Sequence, residues 1–173
     1  MRKLLIIFSV LLSVHAFAQR KFIKTINNGS YGRSLRVLPT SDQGYVIFSI
    51  DSLKLTKFDH CGDMEWSQKY KLPPCYYHTD FINTQNGGFA LLSMLINGSS
   101  YSSLVTLFDA TGNVSWSKSF NDPAYNHYPY TINTDQQGNL VFYSNVSSGS
   151  NLYNIASKTD VIGNNIWTTL YDH

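Results

Sequence analysis

An all-β fold built from a repeated four-stranded unit is predicted for this 173-residue chain by three observations: a recurring phrase, a helix-poor composition and regularly placed glycine turns. The phrase reads FDHCGDMEWSQKY at 58–70, FDATGNVSWSKSF at 108–120 and KTDVIGNNIWTTLY at 158–171. Asp59, Asp109 and Asp160, Gly62, Gly112 and Gly163, and Trp66, Trp116 and Trp167 all keep spacings of 50 and then 51 residues. A period of that length marks one supersecondary unit stacked on the next. Glu65 is the only glutamate, while Ser, Thr, Asn, Gly and aromatics abound, a balance that suits strands and turns and disfavours helices.

Taken in chain order, the first element is a leader. Arg2 and Lys3 precede the apolar run LLIIFSVLL and the small-residue site Ala16-Phe17-Ala18, the pattern of a secretory signal peptide over 1–18, cleaved near Ala18-Gln19. The mature chain, 19–173, is expected to be secreted or at the cell surface, or periplasmic, with no membrane span. It is long enough for one domain with its own core. Removing Arg2 and Lys3 from the 13 basic residues leaves 11 against 11 acidic ones, so no basic stripe points to nucleic acid.

FIKTI at 22–26 aligns with WSQKY and WSKSF, with Phe22 at the Trp position, and reads as an outer strand of a further unit. Three full units follow, about 34–70, 78–120 and 128–171. Each opens with a short strand: LRVLPT at 35–40, TDFINT at 79–84 and YTINT at 130–134. The polar turns SDQG, QNGG and DQQG come next, where Gly is expected to supply a positive φ. The second strands, from 44, 88 and 138, are nearly continuous in apolar residues, which predicts burial on both faces. Third strands end at the recurring Asp, whose Asp-x-x-Gly sequence predicts an Asx turn. Fourth strands carry Trp66 and Tyr70, Trp116 and Phe120, and Trp167 and Tyr171, each pair on one face because positions i and i+4 of a strand point the same way. Four antiparallel strands in sequence, repeated, describe β-propeller blades. With three blades and an orphan strand, the chain is expected to be a partial or open propeller, completed by further blades of a longer chain or by a second copy.

FDATGNVSW at 108–116 resembles the tryptophan-docking repeat of quinoprotein-like propellers, with Asp109, Thr111-Gly112 and Trp116 in register. The longer pattern, TSDQGYVIFSI followed by LTKFDHCGDMEWSQKY, resembles the repeats of secreted and surface propeller proteins of Bacteroidota, which often end in a type IX secretion sorting domain. The third repeat departs from the quinoprotein pattern, with Val161-Ile162 before Gly163.

The recurring Asp, Gly and Trp residues are read as structural: the Trp side chains wedge between blades, and one Asp per turn falls short of a calcium loop. Loops joining one unit to the next crowd at one end of a propeller. They hold Tyr31 and Arg33, then Tyr76, Tyr77 and His78, then Tyr125, His127 and Tyr128, a candidate surface for a glycan or protein ligand. His78 and His127 have no third ligand nearby, so no metal is expected, and no cofactor or nucleophile motif is present. Cys61, in a turn before a fourth strand, and Cys75, in the loop after it, are expected about 20 Å apart and unpaired, since a bridge needs Cα atoms within about 7 Å. The function expected is non-catalytic extracellular binding, adhesion or scaffolding. The alternative is part of a propeller enzyme, a polysaccharide-active hydrolase or lyase or a quinone-type oxidoreductase, with active residues partly in other blades.

Overall fold

The computed structural model describes residues 34–50, 52–73 and 75–171; the expected leader, the strand expected at 22–26, Tyr31 and Arg33 lie outside them. Among the described residues every regular element is a strand. Blade 1 consists of β1 (Ser34–Pro39), β2 (Tyr45–Ser49), β3 (Lys54–Phe58) and β4 (Met64–Lys69). Blade 2 is β5 (Cys75–Asn83), β6 (Phe89–Asn97), β7 (Ser100–Phe108) and β8 (Val114–Phe120), and blade 3 is β9 (Asn126–Thr134), β10 (Leu140–Ser148), β11 (Asn151–Thr159) and β12 (Asn165–Tyr171). Each blade is a four-stranded antiparallel meander paired in chain order. The described residues therefore form an all-β, propeller-type array of three blades.

The core lies between blades. Because strand side chains alternate, Phe89 and Leu91 of β6 face blade 1 and join Phe48, Leu55 and Phe81, while Ala90 and Leu92 face blade 3 and join Ile132, Leu140 and Phe142. That two-sided packing explains the unbroken apolar run of β6, which is buried from Phe89 to Met94. In β10 the burial instead alternates, since only one of its faces meets a neighbouring blade. The expectation of two covered faces is corrected there and in β2, where Tyr45 and Ile47 are only partly buried.

The turns are built as their residues require. Asp59 Oδ1 accepts the amides of Cys61 (2.9 Å) and Asp63 (2.8 Å), and Asp109 and Asp160 repeat this pair of bonds. Gly112 takes φ +85°, and a Cβ there would lie 2.7 Å from Trp66 Cη2. Trp66 thus seats on the bare Gly of the next blade's turn, and Trp116 seats likewise against Gly163. Tyr70 donates to Gly112 O (2.5 Å), and Trp116 Nε1 donates to Val161 O (3.0 Å). In the SDQG turn the positive φ falls on Gln43 (67°), not on Gly44. Gly44 is needed for another reason: its Cβ would meet Phe58 O at 2.2 Å.

The innermost strands correct the expected boundaries. β5 and β9 each run for nine residues and begin several residues before the short strands read from the sequence. Tyr76, Tyr77 and His78 therefore belong to β5, and His127 and Tyr128 to β9, not to connecting loops. Cys75 likewise opens β5, and Cys61 and Cys75 are both free thiols.

Candidate functional site

Antiparallel topology brings the β6–β7 and β10–β11 hairpins to the same end as the loops between blades. Blade 1 has short central strands, whereas β6, β7, β10 and β11 all extend to nine residues. Their tight turns at Gly98 and Gly149, both at positive φ, lift Tyr101 and Tyr153 toward that end.

Here a cleft of about 520 Å³ opens between the outer part of blade 2 and blade 3. Its floor is Phe120 and Ile155, and its walls carry Asn121, Asp122, Ser157, Asn165 and Thr168. Ser157 and Thr168 share a hydroxyl contact at 3.1 Å, the counterpart of Thr56–Ser67 and Thr106–Ser117 in the other blades. Tyr125 and Tyr153 meet edge to face at 5.7 Å, with Tyr153 on the same face of β11 as Ile155 and Ser157.

The loop beside the cleft is held from within. His127 is buried, and its Nε2 accepts the amide of Asp122 at 3.1 Å, which requires an unprotonated nitrogen. Burial pushes the His127 pKa below its ordinary 6.5, against the opposing pull of the Asp122 charge. Asp122 in turn accepts the amide of Ala124 at 2.9 Å.

Other expected site residues go elsewhere. His78 Nδ1 lies 2.8 Å from the buried Ser93 hydroxyl and its ring stands edge-on to Phe48, so it fills the blade 1–blade 2 interface. Burial lowers its pKa too. Tyr77 is exposed on β5, and Tyr128 packs against Tyr101, whose amide donates to Asn126 Oδ1. Tyr130 and Tyr143 pair at right angles, and Tyr143 donates to Asn154. Of the expected cluster, only His127 lines the cleft, and Tyr125 stands beside it. Tyr153 was not legible as a partner of Tyr125, because the signal for it, the length of the β10–β11 hairpin, is cooperative pairing and not a motif.

A second polar cluster occupies the meeting point of the inner strands. Each inner strand has one extra residue there, in β1 between Ser34 and Val37, at Thr79 in β5 and at Tyr130 in β9. Such bulges bend a strand and re-aim the next side chain. Asp80, almost fully buried, then accepts from Arg36 of blade 1 (2.9 Å), its neighbour Phe81 N (2.9 Å), and the Thr131 hydroxyl (2.8 Å) and Ile132 amide (3.0 Å) of blade 3. One carboxylate thus ties three blades. With all its strong acceptor directions occupied, Asp80 is a staple and not a free base.

Asp59, His60 and Cys61 bring three potential metal-ligand atoms within 4.8 Å of one another. Asp59 Oδ1 is already engaged by two backbone amides, and the Asp63 amide chiefly holds its pKa below the usual carboxylate value.

No family model matches the chain, and no curated protein sequence matches it. Among solved structures, one titled crystal structure of the eukaryotic initiation factor aligns at TM-score 0.58 and 13% identity, covering 88% of this chain and 36% of that one. A protein of unknown function from Bacteroides caccae aligns at TM-score 0.47 and 10% identity, covering 84% and 63% respectively. A streptogramin B lyase structure aligns at TM-score 0.38 and 11% identity, covering 90% and 74%. This chain spans only about a third of the first of these, and that likeness concerns the fold alone.

Proposed function

We propose that the protein is an exported, non-catalytic propeller segment that binds a neutral glycan in the cleft between blades 2 and 3. The carrying observation is the lining of that cleft. Amide, hydroxyl and carboxylate groups from Asn121, Asp122, Ser157, Asn165 and Thr168 surround an apolar floor, and an aromatic pair stands beside it. Sugars combine dense hydroxyls with apolar ring faces, so they suit such a mixture, and the volume falls in the range of about 300–1,000 Å³ typical of small-molecule sites. Near-neutral surface charge fits an uncharged ligand better than a polyanion. Export follows from the leader-like pattern at 1–18. A binding role is favoured over hydrolysis because the recurring carboxylates of Asp59, Asp109 and Asp160 each hold backbone amides of their own turns.

The test is saturation-transfer NMR with a panel of neutral oligosaccharides on the wild type and on Asn165→Ala, Tyr125→Ala and Tyr77→Ala. Transfer that disappears in the first two variants and persists in the third supports the cleft. Transfer unaffected by Asn165→Ala, or none for any sugar in the panel, refutes it.

A further inference from the structure

The turn between β3 and β4 departs from its counterparts at the positions that decide whether it can bind a cation. It reads Asp59-His60-Cys61-Gly62-Asp63, where blades 2 and 3 have Asp109-Ala110-Thr111-Gly112-Asn113 and Asp160-Val161-Ile162-Gly163-Asn164. The backbone is the same in all three: Oδ1 of the first Asp accepts the amides of the third and fifth residues. The second carboxylate oxygen differs. Asn113 Nδ2 donates to Asp109 Oδ2 at 3.3 Å, and Asn164 Nδ2 donates to Asp160 Oδ2 at 2.9 Å. Blade 1 has Asp63 at that position, and a carboxylate only accepts, so Asp59 Oδ2 takes no hydrogen bond among the described residues.

The other two exchanges, Ala or Val to His60 and Thr or Ile to Cys61, place metal-ligating side chains beside that oxygen. His60 Nε2 lies 3.3 Å from Cys61 Sγ, and a carboxylate oxygen of Asp59 joins them within 4.8 Å. Bond lengths of ~2.0–2.3 Å to a tetrahedral zinc ion set neighbouring ligand atoms about 3.3–3.6 Å apart. The His–Cys pair already has that spacing, and both side chains are exposed, so rotation about their side-chain bonds can close the remainder. A thiolate and an imidazole suit zinc-class ions, whereas calcium and magnesium take oxygen ligands. Asp63 also gives this turn a second carboxylate that the Asn of the other turns lacks.

We propose that Asp59 Oδ2, His60 Nε2 and Cys61 Sγ form a zinc(II) site with water in the fourth position. On binding, the Cys61 thiol passes its proton to solvent and the imidazole stays neutral, so thiolate and carboxylate together cancel the charge of the ion. The turn prepares the site, because the Cys61 and Asp63 amides on Asp59 Oδ1 fix the carboxylate next to the two ligands that follow it. His78 and His127 take no part. The β3–β4 turn lies at the end of the blades opposite the cleft, and the inference is independent of the glycan reading.

The test is a titration of the full chain with cobalt(II), under a phosphine reductant that does not compete as a thiol ligand. One ion per chain should bind, with a thiolate-to-cobalt charge-transfer band and the visible bands of a four-coordinate ion, and zinc(II) should bleach both. Cys61→Ser should remove the charge-transfer band, His60→Ala should remove the four-coordinate bands, and Cys75→Ser should change neither. Asp63→Asn, which restores the amide that occupies Oδ2 in the other turns, should weaken zinc binding about tenfold with no loss of stability. Zinc should also slow the reaction of Cys61, but not of Cys75, with a thiol reagent. No charge-transfer band in excess cobalt, or one that survives Cys61→Ser, overturns the proposal. Zinc affinity unchanged in Asp63→Asn overturns the role of Asp59 Oδ2, and one ion per two chains overturns the single-chain site in favour of a metal-bridged pair.

Discussion

Substituting Gly112 by Ala tests the docking of one blade on the next. Gly112 has φ +85°, and an added Cβ would come 2.7 and 2.8 Å from Trp66 Cη2 and Cζ3, and 3.2 Å from the Tyr70 hydroxyl. Two penalties add. The left-handed backbone costs an L-residue about 1–2 kcal/mol. Forcing Trp66 off its seat is an overpacking change worth about 1–3 kcal/mol more. The sum is about 2–5 kcal/mol, a large part of the stability of a small domain. Gly98→Ala is the matched control, because Gly98 also has positive φ (+61°) but its Cβ would meet nothing within 4 Å. Urea unfolding followed by tryptophan fluorescence should show Gly112→Ala less stable than Gly98→Ala by about 1–3 kcal/mol, with Trp66 emission red-shifted before the transition. Equal losses in the two variants would mean that the backbone alone demands glycine and that the docking argument is wrong.

Asp80→Ala should destabilise by about 3–5 kcal/mol, because it leaves the Phe81 and Ile132 amides and the Thr131 hydroxyl unpaired and Arg36 without its partner; denaturant unfolding that places the loss below about 1 kcal/mol would remove its role as an axial staple. Stability should fall with acidity: burial depresses the pKa of His127 and His78 below 6.5 in the folded state, so their stabilisation is complete above that value and is lost as pH drops through it. Thermal unfolding from pH 7.5 to about 5 should show a shallower pH slope in His127→Gln than in the wild type; an unchanged slope would assign the effect elsewhere. With a thiol reagent at about pH 8, exposed Cys61 should react first, and Cys75, whose pKa burial pushes up to about 11, far more slowly; equal rates would place Cys75 on the surface.

The errors of the sequence reading have physical causes. Pro73, Pro74 and Pro129 suggest loop, since proline cannot donate to a ladder. Yet Pro129 sits in β9, which pairs only with β10, and an edge strand tolerates proline on its unpaired side. Reading the segment as strand would have turned His127 inward and Tyr128 away from it. The same reasoning moves His78 from the loop face to the interface with Phe48.

By itself the sequence determined what depends on a few neighbouring residues: the fifty-residue unit, its four strands, the Asx turns at Asp59, Asp109 and Asp160, and the shared face of Trp116 and Phe120. Strand alternation and turn chemistry act over two to five positions, so a single chain displays them. The tertiary structure alone decided that Asp80 joins Arg36 to Thr131, that Tyr125 meets Tyr153 beside a cleft, and that Trp167 is left uncovered while Trp66 is not. Those relations link residues of different strands and blades, and they arise from how long each strand grows and how the blades lie against one another.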